Sequence, residues 1–297
     1  MADPAQGRTI RIFLVDGKPT GILTAEIGNW SGKIVVGGRT DLPEIVRRSE
    51  CGKTGIYFLI GSDIGSPQRM KVYVGEGDSV SDRLKKHNAD GSKDFFDRVC
   101  VVVSKDENLT KAHARYLESR FIEIIKAAGR AGLANGNEPA FDLLPESDRA
   151  DMEGFIGHVR LVLPVLGFDI AREPVSISVA TKSPERTGPI FRITSVGVDA
   201  RMSPVADEYV VHKGSTARAD AKAAYNAYQG LRDQLKAEGK LVVSAQNPSL
   251  LVFTEDVPFA SLSAAAAVVL DRQAAGPSEW KVDGSKISYA EWQQAQL

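Results

Sequence analysis

Residues 55–60, Gly-Ile-Tyr-Phe-Leu-Ile, and residues 70–75, Met-Lys-Val-Tyr-Val-Gly, are the two stretches that decide the fold of this chain. Both are short and rich in β-branched and aromatic residues, a composition typical of strands. Side chains alternate between the two faces of a strand, so Tyr57 and Tyr73 each point away from their apolar neighbours. The sequence therefore predicts a strand pair in which these two tyrosines share one face.

Helix and strand signals alternate after this strand pair. A helix is predicted near Ser79–Asn88, a β-branched strand at Arg98–Ser104 and a long helix from about Thr110 to Ala128. Apolar residues at helical spacing predict one more core-facing helix from about Ser147 to Leu163. Residues 51–172 are therefore predicted to form one compact α/β domain.

The segments on either side of this domain have a different composition. Short strand signals broken by turn residues predict a β-rich N-terminal module over residues 1–50. Residues 173–189 include three prolines and scattered Ser and Thr, which predicts a linker. Strand signals return over residues 190–297 with a helix predicted at Ala217–Glu238, so we expect a C-terminal α+β domain.

The composition bounds the kinds of partner this chain can attract. A hydrophobic content of 43% is enough to build a core, and 37 basic against 38 acidic residues leave a formal charge of −1. No whole-molecule field therefore draws the chain to nucleic acid, so any contact with DNA must be local. Cys51 and Cys100 show no metal-ligand spacing, and no apolar run approaches the length of a membrane span. We expect a cytoplasmic protein without a membrane segment.

Glu118 is the residue whose position most needs an explanation. It lies in the middle of the apolar stripe of the long predicted helix. That stripe is formed by Ala114, Phe121, Ile122 and Ile125. Burial of an unpaired carboxylate is costly, so Glu118 requires a cationic partner, either in a structural salt bridge or as a bound metal ion.

Six side chains follow one another in a recognisable order: Tyr57, Tyr73, Arg83, His87, Glu118 and Asn135. Together with the Gly-Ile-Tyr and Tyr-Val-Gly motifs, this order resembles the GIY-YIG nuclease family over about Gly55 to Pro139, under a third of the chain. The resemblance implies a core made of a small, mainly antiparallel three-stranded sheet flanked by helices. It also implies a metal-dependent endonuclease that hydrolyses DNA phosphodiesters by one-metal, water-mediated in-line displacement.

The resemblance assigns a role to each of these side chains. The residue matching Glu118 holds Mg²⁺ or Mn²⁺ in that family, and one carboxylate suffices because Mg²⁺ keeps several waters. Tyr57 matches a general base or water positioner, which requires a nearby cation to depress the pKa of its phenol. Arg83 would stabilise the transition state, Tyr73 would orient water or phosphate, and His87 would assist proton transfer.

Three further features of the motif set are an asparagine with two candidate positions, a candidate phosphate contact and a departure from the family pattern. The late asparagine of the family corresponds to Asn135 or to Asn137, and Asn-Gly-Asn is also an ordinary turn sequence. Lys93 precedes two phenylalanines and is a candidate for contact with the phosphate backbone. The second motif reads Tyr-Val-Gly, and residues 61–69 lengthen the tip of the hairpin, which should leave the strand pairing intact.

The C-terminal end of the chain carries a second resemblance. Phe259–Ser263, followed by an alanine-rich stretch and then by Gly276–Trp280, resembles a small domain of unassigned function. That domain is often attached to GIY-YIG nucleases and to some methyltransferases. The resemblance assigns no chemistry to residues 190–297.

Two other functions are compatible with the same sequence. A non-catalytic nucleic-acid-binding module that keeps the fold would bind DNA without metal. It would have no cleavage activity for the replacement of Glu118 to remove. A protein-interaction adaptor would act through its terminal domains, with residues 51–172 dispensable for binding the partner. Fold-level similarity does not choose among DNA structures or pathways.

Overall fold

The computed structural model of this 297-residue protein describes residues 7–63, 66–88, 90–136, 144–172, 189–195, 197–205, 207–220 and 226–296. The chain forms two compact units, Met1–Glu173 and Pro174–Leu297. The expected boundary at residue 50 falls inside the first unit, and all of the expected linker before Pro189 lies outside the described residues. None of the described helices combines the length and the hydrophobicity that crossing a bilayer requires.

The described part of the first unit contains seven strands and four α-helices. These are β1 (Ile10–Leu14), β2 (Leu23–Ile27), β3 (Gly32–Gly38), α1 (Leu42–Ile45), β4 (Gly55–Asp63), β5 (Ser66–Gly77), α2 (Val80–Asn88), β6 (Phe96–Ser104), α3 (Lys111–Ala128), β7 (Ala131–Leu133) and α4 (Glu146–Val165). Short 3₁₀ turns lie at Arg39–Asp41, Ser49–Gly52, Gly91–Lys93 and Asp169–Ala171.

All seven strands belong to one mixed sheet, in the order β1-β2-β3-β6-β4-β5-β7. Every neighbouring pair is antiparallel except β5 and β7, which run parallel. The three-stranded core that the resemblance implies is too small for this unit, because β3 pairs with β6 along its whole length, from Gly32 opposite Ser104 to Gly38 opposite Arg98. The strands of residues 1–50 therefore extend the same sheet instead of forming a sheet of their own.

Both faces of this sheet are covered. Ile56 and Phe58 of β4 point into the larger core, which also contains the apolar residues of α3 and α4. Tyr57 and Leu59 point to the other face, where α1 and α2 pack. Tyr73 packs on this second face, with its ring centroid 6.3 Å from that of Tyr57. The prediction that the two tyrosines share one face is confirmed.

Helix α3 has well-defined ends. At its N-terminus the hydroxyl of Thr110 accepts a hydrogen bond from the backbone N–H of His113. At its C-terminus Gly129 adopts the left-handed conformation, with φ of 65°, and its N–H donates to the carbonyl of Ile125. These caps define the two ends of the 18-residue helix, which carries Glu118.

The described part of the second unit is also a mixture of strands and helices. It contains β8 (Phe191–Ile193), β9 (Ala200–Val205), β10 (Glu208–Val211), β11 (Thr216–Arg218), α5 (Gln229–Ala237), β12 (Leu241–Val243), β13 (Leu250–Phe253), β14 (Val257–Phe259), α6 (Leu262–Leu270), α7 (Gly276–Glu279), β15 (Lys281–Val282) and α8 (Tyr289–Gln294). The strands form two sheets, ordered β14-β10-β9-β8-β15 and β11-β13-β12.

The helix predicted over Ala217–Glu238 is wrong at its N-terminal end. Ala217 lies in β11, is fully buried and pairs with Leu251 of β13. Strand pairing and burial outweigh helix propensity here, because propensity differences between residues amount to less than about 1 kcal/mol each. Residues 221–225 lie outside the described chain, and α5 begins at Gln229.

The sequence motifs at the end of this unit pack against each other. Trp280 is fully buried and its indole N–H donates to the carbonyl of Leu262, 3.2 Å away. A Cβ at Gly276 would lie 2.2 Å from the backbone of Leu262, so only glycine allows α7 to approach the start of α6 this closely. These contacts hold α7 against the start of α6.

Candidate functional site

A glycine opposite Tyr57 creates the space in which the hydroxyl of that tyrosine lies. Tyr57 of β4 pairs directly with Gly75 of β5. A Cβ at Gly75 would lie 2.3 Å from the Tyr57 hydroxyl oxygen, which is far inside van der Waals contact. At Gly77, a Cβ would lie 2.7 Å from Cγ of Arg83. The two glycines therefore leave room for the two side chains that the resemblance places at the centre of the site.

Sequence reasoning did not assign a role to Gly77. Its signal is the spacing Gly75-Glu76-Gly77, in which both glycines occupy one face of a strand that otherwise carries large residues on that face. A glycine within a strand often marks the close approach of another group. Here the approaching group is a side chain of the following helix.

Helix α2 places Arg83 and His87 over the tyrosine face of the sheet. Val80 and Leu84 are buried against this face and anchor the helix. The Nε2 atom of His87 lies 2.8 Å from the Tyr57 hydroxyl oxygen, and the guanidinium of Arg83 lies within hydrogen-bonding range of the same hydroxyl. The structure therefore brings both predicted helix residues onto one phenol.

The protonation states of this pair differ from the expectation. Burial, with the neighbouring Tyr73, raises the pKa of the Tyr57 phenol above its usual value and outweighs the opposing charge of Arg83. Burial, followed by the charges of Lys93 and Arg83, lowers the pKa of His87. The expected depression of the Tyr57 pKa is therefore wrong. At neutral pH the phenol keeps its proton and the imidazole is neutral, and the phenol donates to Nε2 in the tautomer that carries the imidazole proton on Nδ1.

Tyr73 and Lys93 extend the site beyond this hydrogen bond. The Tyr73 ring packs edge-on against His87, with the ring centroids 5.0 Å apart. The Lys93 ammonium lies 4.0 Å from the Tyr73 ring centroid, an attractive cation–π distance. Lys93 comes from the 3₁₀ turn Gly91–Lys93 that follows α2. Lys93, the candidate for contact with the phosphate backbone, therefore lies beside Tyr73.

Glu118 approaches this region from α3, on the opposite face of the sheet. Its side chain is half-buried, and within the described chain its carboxylate forms neither a hydrogen bond nor an ion pair. Burial, with the nearby charge of Glu76, raises the pKa of Glu118 to about 7, against the attraction of Arg83, Lys111 and Arg115. Its charge in turn raises the pKa of Tyr73, after the effect of burial.

Glu76 is a second carboxylate at the site that sequence reasoning missed. It lies on β5 between Gly75 and Gly77, and its Oε2 atom is 2.7 Å from the ammonium of Lys111, the first residue of α3. The same ammonium lies 3.4 Å from Asp78. Lys111 therefore neutralises Glu76, whereas no cation among the described residues is in contact with the Glu118 carboxylate.

Asn135 forms two side-chain hydrogen bonds with the backbone of β5. Its Oδ1 atom accepts from the N–H of Val74 at 3.0 Å, and its Nδ2 atom donates to the carbonyl of Val74 at 2.8 Å. The side-chain amide thus continues the pairing of β5 beyond the end of β7, between Tyr73 and Gly75. The alternative, Asn137, lies outside the described residues.

The donors present fit a hard divalent cation held by one carboxylate. The described residues contain no group of three or more His, Cys, Asp or Glu side chains that could hold a metal ion. Glu118 is, however, a half-buried carboxylate that has no hydrogen-bonding or ionic partner in the part of the chain that the structure describes, and burial raises its pKa to about 7. Mg²⁺ accepts oxygen ligands and binds through one or two carboxylates, with water and substrate phosphates as its remaining ligands.

Comparison with known proteins concerns the second unit. Residues 191–293, about a third of the chain, match a family model described as "Domain of unknown function (DUF4357)". This match lies within residues 190–297, for which the sequence predicts a C-terminal domain of unassigned function. No curated protein and no solved structure matches the chain.

Replacing Gly75 by alanine tests the contact that defines this site. The added Cβ must displace the Tyr57 hydroxyl, so we expect the free energy of unfolding to fall by about 1–3 kcal/mol, as in other overpacked cores. The pKa of His87 should rise, because its neutral form loses a hydrogen-bond donor. Chemical denaturation and NMR titration of the His87 ring measure the two effects.

The matched control is Gly157→Ala, since a Cβ at Gly157 in α4 meets nothing within 4 Å. Greater helical propensity should leave this variant as stable as the wild type or slightly more stable. An unchanged His87 titration in Gly75→Ala would contradict the described contact between Tyr57 and His87.

Proposed function

We propose that this protein is a metal-dependent endonuclease that hydrolyses DNA phosphodiester bonds by one-metal, water-mediated in-line displacement. The observation that carries the proposal is a single hydrogen-bonded cluster of Tyr57, His87 and Arg83, with the half-buried Glu118 carboxylate in electrostatic range. The resemblance of the motif set to GIY-YIG nucleases supports the same reaction.

Glu118 is the residue that would hold Mg²⁺ or Mn²⁺. When bound, the ion polarises a phosphoryl oxygen and offsets the negative charge that builds up there. The role of Glu118 is to supply an ionised carboxylate at a fixed position on a rigid, capped helix. Lys111 keeps the neighbouring Glu76 paired, so Glu118 is the carboxylate left for the ion.

Tyr57 and His87 form a two-member proton relay in this proposal. In the tautomer with the imidazole proton on Nδ1, the phenol donates to Nε2 across 2.8 Å, so a proton that Tyr57 takes from water can be balanced by the transfer of its own proton to His87. His87 then carries the proton at Nε2 as an imidazolium. A raised pKa of Tyr57 suits this role, because the phenol never has to be a free phenolate.

Arg83 connects substrate binding to this relay. Tyr57 is fully buried, whereas Arg83 is an exposed side chain that lies against its hydroxyl. A guanidinium binds a phosphate oxygen more strongly than it binds a phenol. Turning of Arg83 toward the scissile phosphate would therefore uncover the hydroxyl and bring positive charge to the transition state. Lys93 and Tyr73 border the same face and would hold the adjacent phosphate.

DNA is the partner that we propose. The contacts must be local, because the chain as a whole has a formal charge of only −1. Contact between a few cations and phosphates should make binding fall steeply with salt. Cys51 and Cys100 are both buried free thiols, which fits our proposal that the protein is cytoplasmic.

A non-catalytic nucleic-acid-binding module is the second candidate. The full burial of Tyr57 favours it, because a hydroxyl that never meets water cannot assist hydrolysis. In that case Arg83 and Lys93 would bind phosphate while Tyr57 and His87 stabilise the fold.

Cleavage assays with purified protein separate the two candidates. Supercoiled, branched and single-stranded DNA are incubated with Mg²⁺, with Mn²⁺ or with EDTA, and products are resolved on denaturing gels. Nicking that requires the metal supports the endonuclease. Binding of DNA that is unaffected by EDTA, without cleavage of any of the three substrates, would instead support the binding module.

The pH dependence of cleavage should report the environment of Glu118. Burial raises its pKa to about 7, and a divalent cation binds only the ionised carboxylate, so activity should rise as the pH increases through about 7. More Mg²⁺ should shift the midpoint to lower pH, since ion binding and proton release are linked. Single-turnover rates at two Mg²⁺ concentrations measure the shift. A midpoint independent of Mg²⁺ would argue against Glu118 as the ligand.

A further inference from the structure

Strand β1 is an edge strand with an apolar surface. It is the first strand of the seven-stranded sheet, and among the described residues only β2 pairs with it. Its last three residues are large and exposed, with 41% of Ile12, 62% of Phe13 and 37% of Leu14 accessible. An exposed apolar edge offers both unpaired backbone groups and apolar area to another strand.

The hydrogen-bond pattern shows which backbone groups are available. The N–H of Val15, just after β1, donates to the carbonyl of Ile22, just before β2, 2.9 Å away. Since hydrogen-bonded and non-bonded positions alternate in an antiparallel ladder, Phe13 and Arg11 also face β2. The N–H and C=O groups of Ile10 and Ile12 and the N–H of Leu14 therefore point away from the sheet, whereas the Leu14 carbonyl already accepts a hydrogen bond from the N–H of Gly17, 3.3 Å away.

We propose that β1 pairs with β1 of a second copy of this chain, antiparallel and about a two-fold axis through Ile12. Ile12 then faces its own counterpart, and Ile10 of each copy faces Leu14 of the other. Ile12 exchanges two hydrogen bonds with its counterpart, and the N–H of each Leu14 donates to the carbonyl of Ile10 in the other copy, which gives about four intermolecular hydrogen bonds. The two seven-stranded sheets become one continuous sheet.

The side chains of β1 suit this self-pairing. Arg11 of each copy lies opposite Phe13 of the other, a cation–aromatic pair on one face, while aliphatic residues meet on the other face. Beyond the strand ends, the exposed Arg8 lies opposite the exposed Asp16, so opposite charges meet twice. A two-fold axis through Arg11 would instead set two guanidinium groups against each other, which is unfavourable.

The length of the contact sets the strength that we expect. Two five-residue strands bury less area than a standard stable interface, so the dissociation constant should be on the order of 10 µM. Association should therefore depend on concentration and should be visible by sedimentation at high protein concentration. The dimer does not depend on the proposed nuclease activity.

Charged substitutions at Ile12 test the pairing in the full-length protein. Ile12→Lys and Ile12→Glu should each weaken dimerisation by at least about tenfold, because each places two like charges on the two-fold axis. An equimolar mixture of the two variants should restore association, since lysine then faces glutamate. Sedimentation velocity gives the masses, and circular dichroism shows that the variants are folded.

Leu161→Lys is the matched control, because Leu161 is an exposed leucine of the same unit, with 46% accessible, on α4. It should dimerise like the wild type. A wild type that remains monomeric at high concentration, or a dimer that Ile12→Lys leaves intact, would overturn the proposal. A mixture of Ile12→Lys and Ile12→Glu that associates no better than either variant alone would also overturn it.

Discussion

Replacement of Glu118 by glutamine should reduce metal-dependent DNA cleavage by about 10³-fold, the loss of several kcal/mol of charge stabilisation by the ion. Glutamine preserves the shape of the side chain and removes the charge that would hold Mg²⁺. Titration of Mn²⁺ by electron paramagnetic resonance should show the loss of the bound ion independently of activity. DNA binding without metal should persist.

The same variant should gain stability at alkaline pH. Burial raises the pKa of Glu118 to about 7, so the native state resists ionisation of this group relative to the unfolded chain. The wild type therefore loses stability as the pH rises from the ordinary range of a carboxyl through about 7. Glu118→Gln should unfold at a higher temperature than the wild type at pH above 7, and the difference should disappear in acid.

Glu123→Gln is the control for both measurements. Glu123 lies on the same helix, but its carboxylate is exposed and paired with Arg120 at 2.6 Å. Activity should remain within about twofold of the wild type, because an exposed ion pair contributes little. Equal loss of cleavage in both variants, or retention of Mn²⁺ by Glu118→Gln, would contradict the metal site.

Tyr57→Phe should lower the single-turnover cleavage rate by about 10²-fold, the lower end of the usual contribution of a positioned proton donor or acceptor. The phenylalanine ring fills the same space over Gly75, so the fold should be retained. Without the phenol as a donor, the neutral form of His87 is less stabilised and the pKa of His87 should rise. The two readouts are the cleavage rate and the NMR titration of the imidazole.

Tyr116→Phe provides the comparison. The Tyr116 hydroxyl donates to Glu153 on α4 at 2.8 Å and belongs to the packing of α3 on α4. Its loss should cost about 1 kcal/mol of stability, as for a typical hydrogen bond, and should leave both the rate and the titration of His87 unchanged. If Tyr57→Phe cleaved DNA as fast as Tyr116→Phe, the proton relay would be wrong and the binding module would be favoured.

Local pattern was enough to predict most elements around the site. The alternation of side chains in residues 55–60 and 70–75 predicted that Tyr57 and Tyr73 share a face, and the structure confirms it. Helical spacing placed Arg83 and His87 as neighbours on α2. These predictions succeeded because strand and helix periodicities depend on the backbone alone.

The size of the sheet was not predictable in the same way. Each strand of residues 1–50 has a clear signal, but nothing local says that β3 pairs with β6, some sixty residues later. The same limitation explains Ala217, where a helix-forming composition is overridden by pairing with Leu251. Long-range pairing is decided by which edges meet in the folded chain.

The sequence by itself determined the residue types at the site, their order along the chain and the burial of a carboxylate at Glu118. The tertiary structure alone decided that Gly75 makes room for Tyr57, that Asn135 binds the backbone of Val74, and that the phenol of Tyr57 stays protonated. The physical reason is that contacts between strands, and the desolvation that shifts a pKa, arise only where distant segments pack together.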